Sequence, residues 1–102
     1  MTMEEMKWLK TLGLIYRAKM LITGEELVVK GIQKKNIHFV LLSEDASDNT
    51  KKKIINKCNF YEIPYAVIGS RELLGNAIGK AERVVIGIAD KGFAKKIQTQ
   101  IQ

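Results

Sequence analysis

Apolar residues first recur at helical spacing at Trp8, Leu12, Ile15 and Tyr16, which predicts an amphipathic helix over residues 4–18. Gly13 within it costs ~1 kcal/mol relative to alanine and implies a close approach of helix and sheet. Met20-Leu21-Ile22 has room only for a brief strand. Thr23-Gly24-Glu25-Glu26 then has the form of a capping box, with Thr23 as N-cap and Glu26 three residues on. The helix it opens carries Leu27, Val28, Gly31 and Ile32 on one face, Lys30 and Lys34 on others, and ends near Lys35-Asn36. Phe39-Val40-Leu41-Leu42 is a continuous apolar run between polar residues, the mark of a strand covered on both faces. After a polar loop, Ser47 or Asp48 caps a third helix that reaches about Asn59 and packs through Ile54, Ile55 and Cys58.

Tyr65–Ile68 is the next strand, with Pro64 at its start, where a missing N–H does least harm. Ser70 caps a fourth helix whose Leu74, Ala77 and Ile78 face inward, and Gly79 suits its C′ position. Val84–Ile88 forms another apolar strand, and Asp90 caps a last helix held down by Phe93, Ile97 and Ile101. Helices alternate with buried strands from end to end. The expected architecture is α/β: a three-layer α/β/α sandwich around a small mixed four-stranded central sheet, in one domain spanning residues 1–102.

Composition changes this picture little: 46% hydrophobic and 27% charged residues describe an ordinary globule. No apolar run approaches the ~20 residues that span a bilayer, and the N-terminus has no secretory pattern. Cys58, the single cysteine, has no partner for a disulfide or a CxxC metal site and reads as helix filler. These features lead to an expectation of a cytoplasmic protein with no membrane contact.

Charge changes it more. Seventeen Lys and Arg against eleven acids give +6, which favours a polyanionic partner. Between residues 30 and 57, Lys30, Lys34, Lys35, Lys51, Lys52, Lys53 and Lys57 face only Glu44, Asp45 and Asp48, and Lys91, Lys95 and Lys96 follow without an acid. Few aromatics look free for base stacking, which favours a reader of phosphate geometry and folded RNA shape over a single-strand binder.

Catalytic parts are scarce. His38, the only histidine, borders a buried strand without a partner implied by spacing, so neither a general base nor a zinc site is expected. Gly75–Lys80 superficially resembles a phosphate-binding P-loop, but it is one residue short and lacks the following Ser or Thr. It also closes a helix where a P-loop opens one. Glu25 and Glu26, adjacent on a helix, point in different directions and form no dyad. No enzyme activity, metal or cofactor is expected.

Arg17-Ala18-Lys19, the stretch Thr23–Lys30, the strand leading into Glu44-Asp45, and Leu74-Gly75 with Ala77 and Gly79 occur in a familiar order. Together they resemble the L-seven-Ae / L-thirty-e superfamily of kink-turn-binding ribosomal proteins. Asp90–Ile97 looks most like its small bacterial members. The resemblance spans roughly residues 5 to 98 and implies the same α/β/α sandwich. It also implies an RNA face made by the start of the second helix and the loop after the fourth. Gly24 and Lys30 keep the family's Gly-to-Lys spacing, and the implied contacts are Gly24, Glu25, Glu26, Lys30 and Arg83, joined by Arg17 and Lys80. Two features depart from the pattern. Glu26-Leu27 stands where members carry two polar residues, and Lys80-Ala81-Glu82-Arg83 replaces a hydrophobic stretch. The expected function is recognition of a kink-turn-like structured RNA by a ribosome- or ribonucleoprotein-associated monomer. The alternative is a protein-interaction module on the same scaffold with weak, nonspecific RNA binding.

Overall fold

The computed structural model describes residues 2–101. In chain order the elements are α1 (Met3–Arg17), β1 (Leu21–Thr23), α2 (Glu25–Gln33), β2 (Phe39–Leu42), α3 (Asp48–Phe60), β3 (Tyr65–Val67), α4 (Arg71–Ala77), β4 (Val85–Ile88) and α5 (Lys91–Ile101). The four strands form one sheet in the order β1-β4-β2-β3. β4 runs antiparallel to β1 and to β2, while β2 and β3 are parallel, so the sheet is mixed as expected.

Side chains alternate along a strand with period two, and β2 uses both faces. Phe39 and Leu41 join Trp8, Leu12 and Ile15 of α1, Leu74 of α4 and Ile97 of α5 in one core. Val40 and Leu42 join Val28 and Ile32 of α2 and Ile54 and Cys58 of α3 in the other. Three helices cover one face and two the other, which is the expected α/β/α sandwich. Close packing in the second core depends on Ile37, which fills space left by two glycines. A Cβ at Gly31 would lie 2.5 Å, and one at Gly87 2.6 Å, from the Ile37 side chain.

β1, β2 and β3 point the same way, and α2, α3 and α4 each follow one of them. All three helices therefore start at the same end of the sheet, where the antiparallel β4 also begins. Backbone bonds tie that rim together: Gly24 N–H donates to Val85 O at 3.3 Å, Ser43 N–H to Val84 O at 2.9 Å, and Arg83 N–H to Arg71 O at 2.8 Å.

The structure departs from the local sequence pattern at Thr23, Leu27 and Gly13. Thr23 is not the N-cap of α2: it pairs with Ile86 in β1, and Gly24 takes the cap position with no side-chain cap bond. Strand pairing, which is non-local, overrides the local capping-box pattern. Leu27 is not on the core face of α2 but 58% exposed, because Val28, Gly31 and Ile32 centre the buried arc one residue further round. Gly13 serves a helix–helix approach, not a helix–sheet one: a Cβ there would sit 3.0 Å from the Ala77 carbonyl oxygen of α4. The other caps are as read. Ser47 accepts from Thr50 N–H at 3.2 Å, Ser70 from Leu73 N–H at 3.0 Å, and Asp90 from Phe93 N–H at 2.8 Å. Gly79 follows α4 with φ 76°.

Candidate nucleic-acid interface

The rim where α2, α3 and α4 begin encloses a concavity of about 270 Å³, walled by Gly24, Glu25, Ser47, Thr50, Arg71 and residues 82–85. Gly24 turns the chain from β1 into α2 at φ 98°, a region that favours glycine, and a Cβ there would meet nothing within 4 Å. The glycine therefore serves backbone conformation and an open surface, not internal packing. Side chains cap α3, α4 and α5, whereas α2 starts without one. The first amides of a helix have no intrahelical acceptor. At α2 they open beside the concavity, an arrangement that favours an anionic oxygen through the amides and the positive end of the helix dipole.

The seven predicted contact residues divide into three sets. Gly24, Glu25 and Arg83 wall the concavity together. Glu26 and Lys30, spaced i, i+4, lie on the exposed face of α2, and Leu27 is exposed with them. Arg17 and Lys80 stand apart, at the C-terminal ends of α1 and α4, where the Lys80 Nζ lies 5.7 Å from the centre of the Tyr16 ring. The Lys80–Arg83 loop links the last set to the first. It runs back along α4, with Lys80 N–H on Gly75 O at 2.9 Å and Arg83 N–H on Arg71 O at 2.8 Å. Gly75 permits this course, since a Cβ there would lie 2.4 Å from Glu82 Cα.

Arg71 is the wall residue that sequence reasoning missed. Its backbone N–H donates to Asp45 Oδ1 at 3.0 Å, its guanidinium donates to Asp45 O at 2.6 Å, and its Nε lies 3.5 Å from Asp45 Oδ2. Desolvation works to raise the Asp45 carboxyl. The Ser43 side chain, the Arg71 backbone amide and the Arg71 charge outweigh it and hold the carboxyl below its usual range. No sequence signal links these residues, which are 26 positions apart. The pair fixes the loop after β2 against the start of α4 and holds a guanidinium at the concavity.

Among the described residues, no group of three or more His, Cys, Asp or Glu is placed to hold a metal. No helix among them is long and apolar enough to cross a membrane. Burial pushes the Cys58 thiol up to about 11, opposite to what a reactive cysteine requires.

The model of the Ribosomal protein L7Ae/L30e/S12e/Gadd45 family matches residues 6–98. The chain is 48% identical over 95 residues to the RNA-binding protein YlxQ of Bacillus subtilis (strain 168), covering 93% of this chain and 95% of that protein. It is 43% identical over 96 residues to the RNA-binding protein YlxQ of Enterococcus faecium, covering 94% and 92%. A solved structure of a protein with unknown function from Bacillus halodurans C superposes with a TM-score of 0.92 at 54% identity, covering 93% of this chain and 96% of that one. The Giardia lamblia 15.5kD RNA binding protein shares the fold, with a TM-score of 0.81 at 17% identity over 99% of this chain and 87% of that one.

Proposed function

Because the chain belongs to the Ribosomal protein L7Ae/L30e/S12e/Gadd45 family, we propose that it is a non-enzymatic, cytoplasmic RNA-binding protein that recognises a kink-turn-like folded RNA, tied to the ribosome or another ribonucleoprotein. The observation that carries this reading is the uncapped start of α2 at Gly24, opening onto the concavity that Arg71 and Arg83 also wall. A sharply bent RNA brings phosphates close together, and this rim offers unbonded amides, a helix dipole and guanidiniums within one small area. Lys30 extends the positive surface along α2. In this reading Glu26, exposed in the first turn, accepts from guanine N–H groups at sheared G·A pairs. The RNA-binding relatives named above support the coarse part of the reading.

Calorimetric titration of the protein into a duplex carrying one kink-turn tests it, against the same duplex with its G·A pairs replaced by Watson–Crick pairs. Tighter binding to the kink-turn is expected, with affinity falling by ~0.7–0.9 log units per phosphate contact for each log unit of salt. Equal, weak binding to both duplexes would contradict the reading. One observation favours a protein partner instead: Leu27, 58% exposed in the middle of the α2 face, contributes no hydrogen bond to RNA. Equal binding to both duplexes would leave that alternative standing.

A further inference from the structure

Tyr16 is 37% exposed at the end of α1, whose Trp8, Leu12 and Ile15 are buried. Two cations accompany it: Arg17 is the next residue, and the Lys80 Nζ lies 5.7 Å from the ring centre. The ring borders a hollow of about 400 Å³ between the ends of α1 and α4, and a second hollow of about 400 Å³ adjoins it through Gly13, Arg17 and Ala77. A partly exposed aromatic ring, a cation over it, a second cation on the wall of the same hollow and small residues beside it are what a nucleotide needs: a stacking surface for the base and positive charge for its phosphates.

The loop that carries Lys80 also carries Arg83. Only Ala81 and Glu82 separate them, so their backbone positions lie at most ~11 Å apart, about three stacked nucleotides at ~3.4 Å each. A single RNA strand that meets Arg83 at the concavity is thus within a few nucleotides of Lys80, which lies over the Tyr16 ring. We propose that Tyr16 is a base-stacking platform for an unpaired nucleotide flanking the bound RNA element, with Lys80 and Arg17 holding that nucleotide's phosphates. The proposal rests on the RNA-binding reading above. The base displaces the Lys80 ammonium from the ring face, and the ammonium moves to phosphate. Phe60 is more exposed, at 79%, but it packs edge-on against Tyr61 at the far end of α3. That end lies ~18 Å along the helix from the rim, so Phe60 serves as the control.

The test uses the full chain and a kink-turn duplex extended by unpaired nucleotides, with affinity measured for wild type, Tyr16→Ala, Tyr16→Phe, Phe60→Ala and Lys30→Ala. Tyr16→Ala should weaken binding roughly 5- to 150-fold, the range for losing one stacked base. Tyr16→Phe and Phe60→Ala should stay within about twofold of wild type, since stacking needs the ring and not the hydroxyl. Removing the extension should weaken the wild type and erase the difference between it and Tyr16→Ala. Circular dichroism melts establish that each variant is folded, as expected for exposed positions. If Tyr16→Ala binds like wild type while Lys30→Ala is weakened, the stacking proposal fails and the RNA-binding reading survives. If wild type does not prefer the kink-turn duplex at all, both fail.

Discussion

Two hollows open at opposite ends of β2 and β3. The larger, about 590 Å³, lies where those strands begin and is walled by Phe39, Cys58, Asn59, Glu62, Ile63, Pro64, Tyr65, Ala66, Gln98 and Ile101. The smaller, about 270 Å³, lies where the strands end. By volume alone the larger would be the default site. Its one ionisable wall group besides the buried Cys58 thiol and the Tyr65 phenol is Glu62, whose charge repels phosphate, and none of its walls is an uncapped helix start. The smaller has Gly24 at positive φ, the open amides of α2, and the guanidiniums of Arg71 and Arg83, which offset the carboxylates of Glu25 and Glu82 in the same wall. For a polyanionic partner, the presence of guanidiniums and the orientation of backbone donors decide the site, and the size of the hollow does not.

Three sets of substitutions and one labelling measurement sharpen or break that contrast. Replacing both Lys30→Ala and Arg83→Ala should lower kink-turn affinity on the order of 100-fold or more, because hydrogen bonds to charged groups contribute ~1.5–3 kcal/mol each. Calorimetry at one salt concentration reads it, and unchanged affinity would remove the rim from consideration. At the other hollow, Cys58 should be nearly inert. With its thiol at about 11 against an ordinary 9.0, a thiol reagent near pH 8 should label the folded protein ~100-fold more slowly than the unfolded chain. The sign follows from deprotonation: labelling rises about tenfold per pH unit and levels off only near 11. Rapid labelling at neutral pH would show a thiol unlike the one described.

Gly75→Ala should act at the small hollow from a distance. Its Cβ would meet the Glu82 backbone at 2.4 Å, so the loop holding Arg83 must shift. A loss of ~1–3 kcal/mol in stability and roughly tenfold in RNA affinity is expected, read by thermal melt and titration. Glu62→Gln, at the larger hollow, should change RNA affinity by less than about twofold. A large change there would make the bigger hollow part of the RNA surface.

Much of the fold is legible from periodicity. Phe39–Leu42 is apolar at every position because β2 lies between two cores, and Ser47, Ser70 and Asp90 announce helices whose amides they do bond. Less of the candidate site is legible, because its parts meet through non-local pairing. Thr23 has the form of a cap, but its pairing with Ile86 hands the cap position to Gly24 and leaves α2 open. Arg71 reaches the rim through Asp45, 26 residues away, with no local signature. Leu27 sits one position outside the buried arc, a distinction finer than an i, i+4 pattern resolves. Arg17 and Lys80, grouped with Gly24 by family resemblance, lie instead against the ends of α1 and α4.

The most direct measurement is the change in backbone amide NMR signals when the isotope-labelled protein is titrated with a kink-turn duplex. Binding at the rim predicts the largest changes at residues 24–30, at Arg71 and at residues 82–85, with residues 58–66 near the larger hollow unmoved. Changes centred on residues 58–66, with Gly24 and Arg83 unaffected, would contradict it.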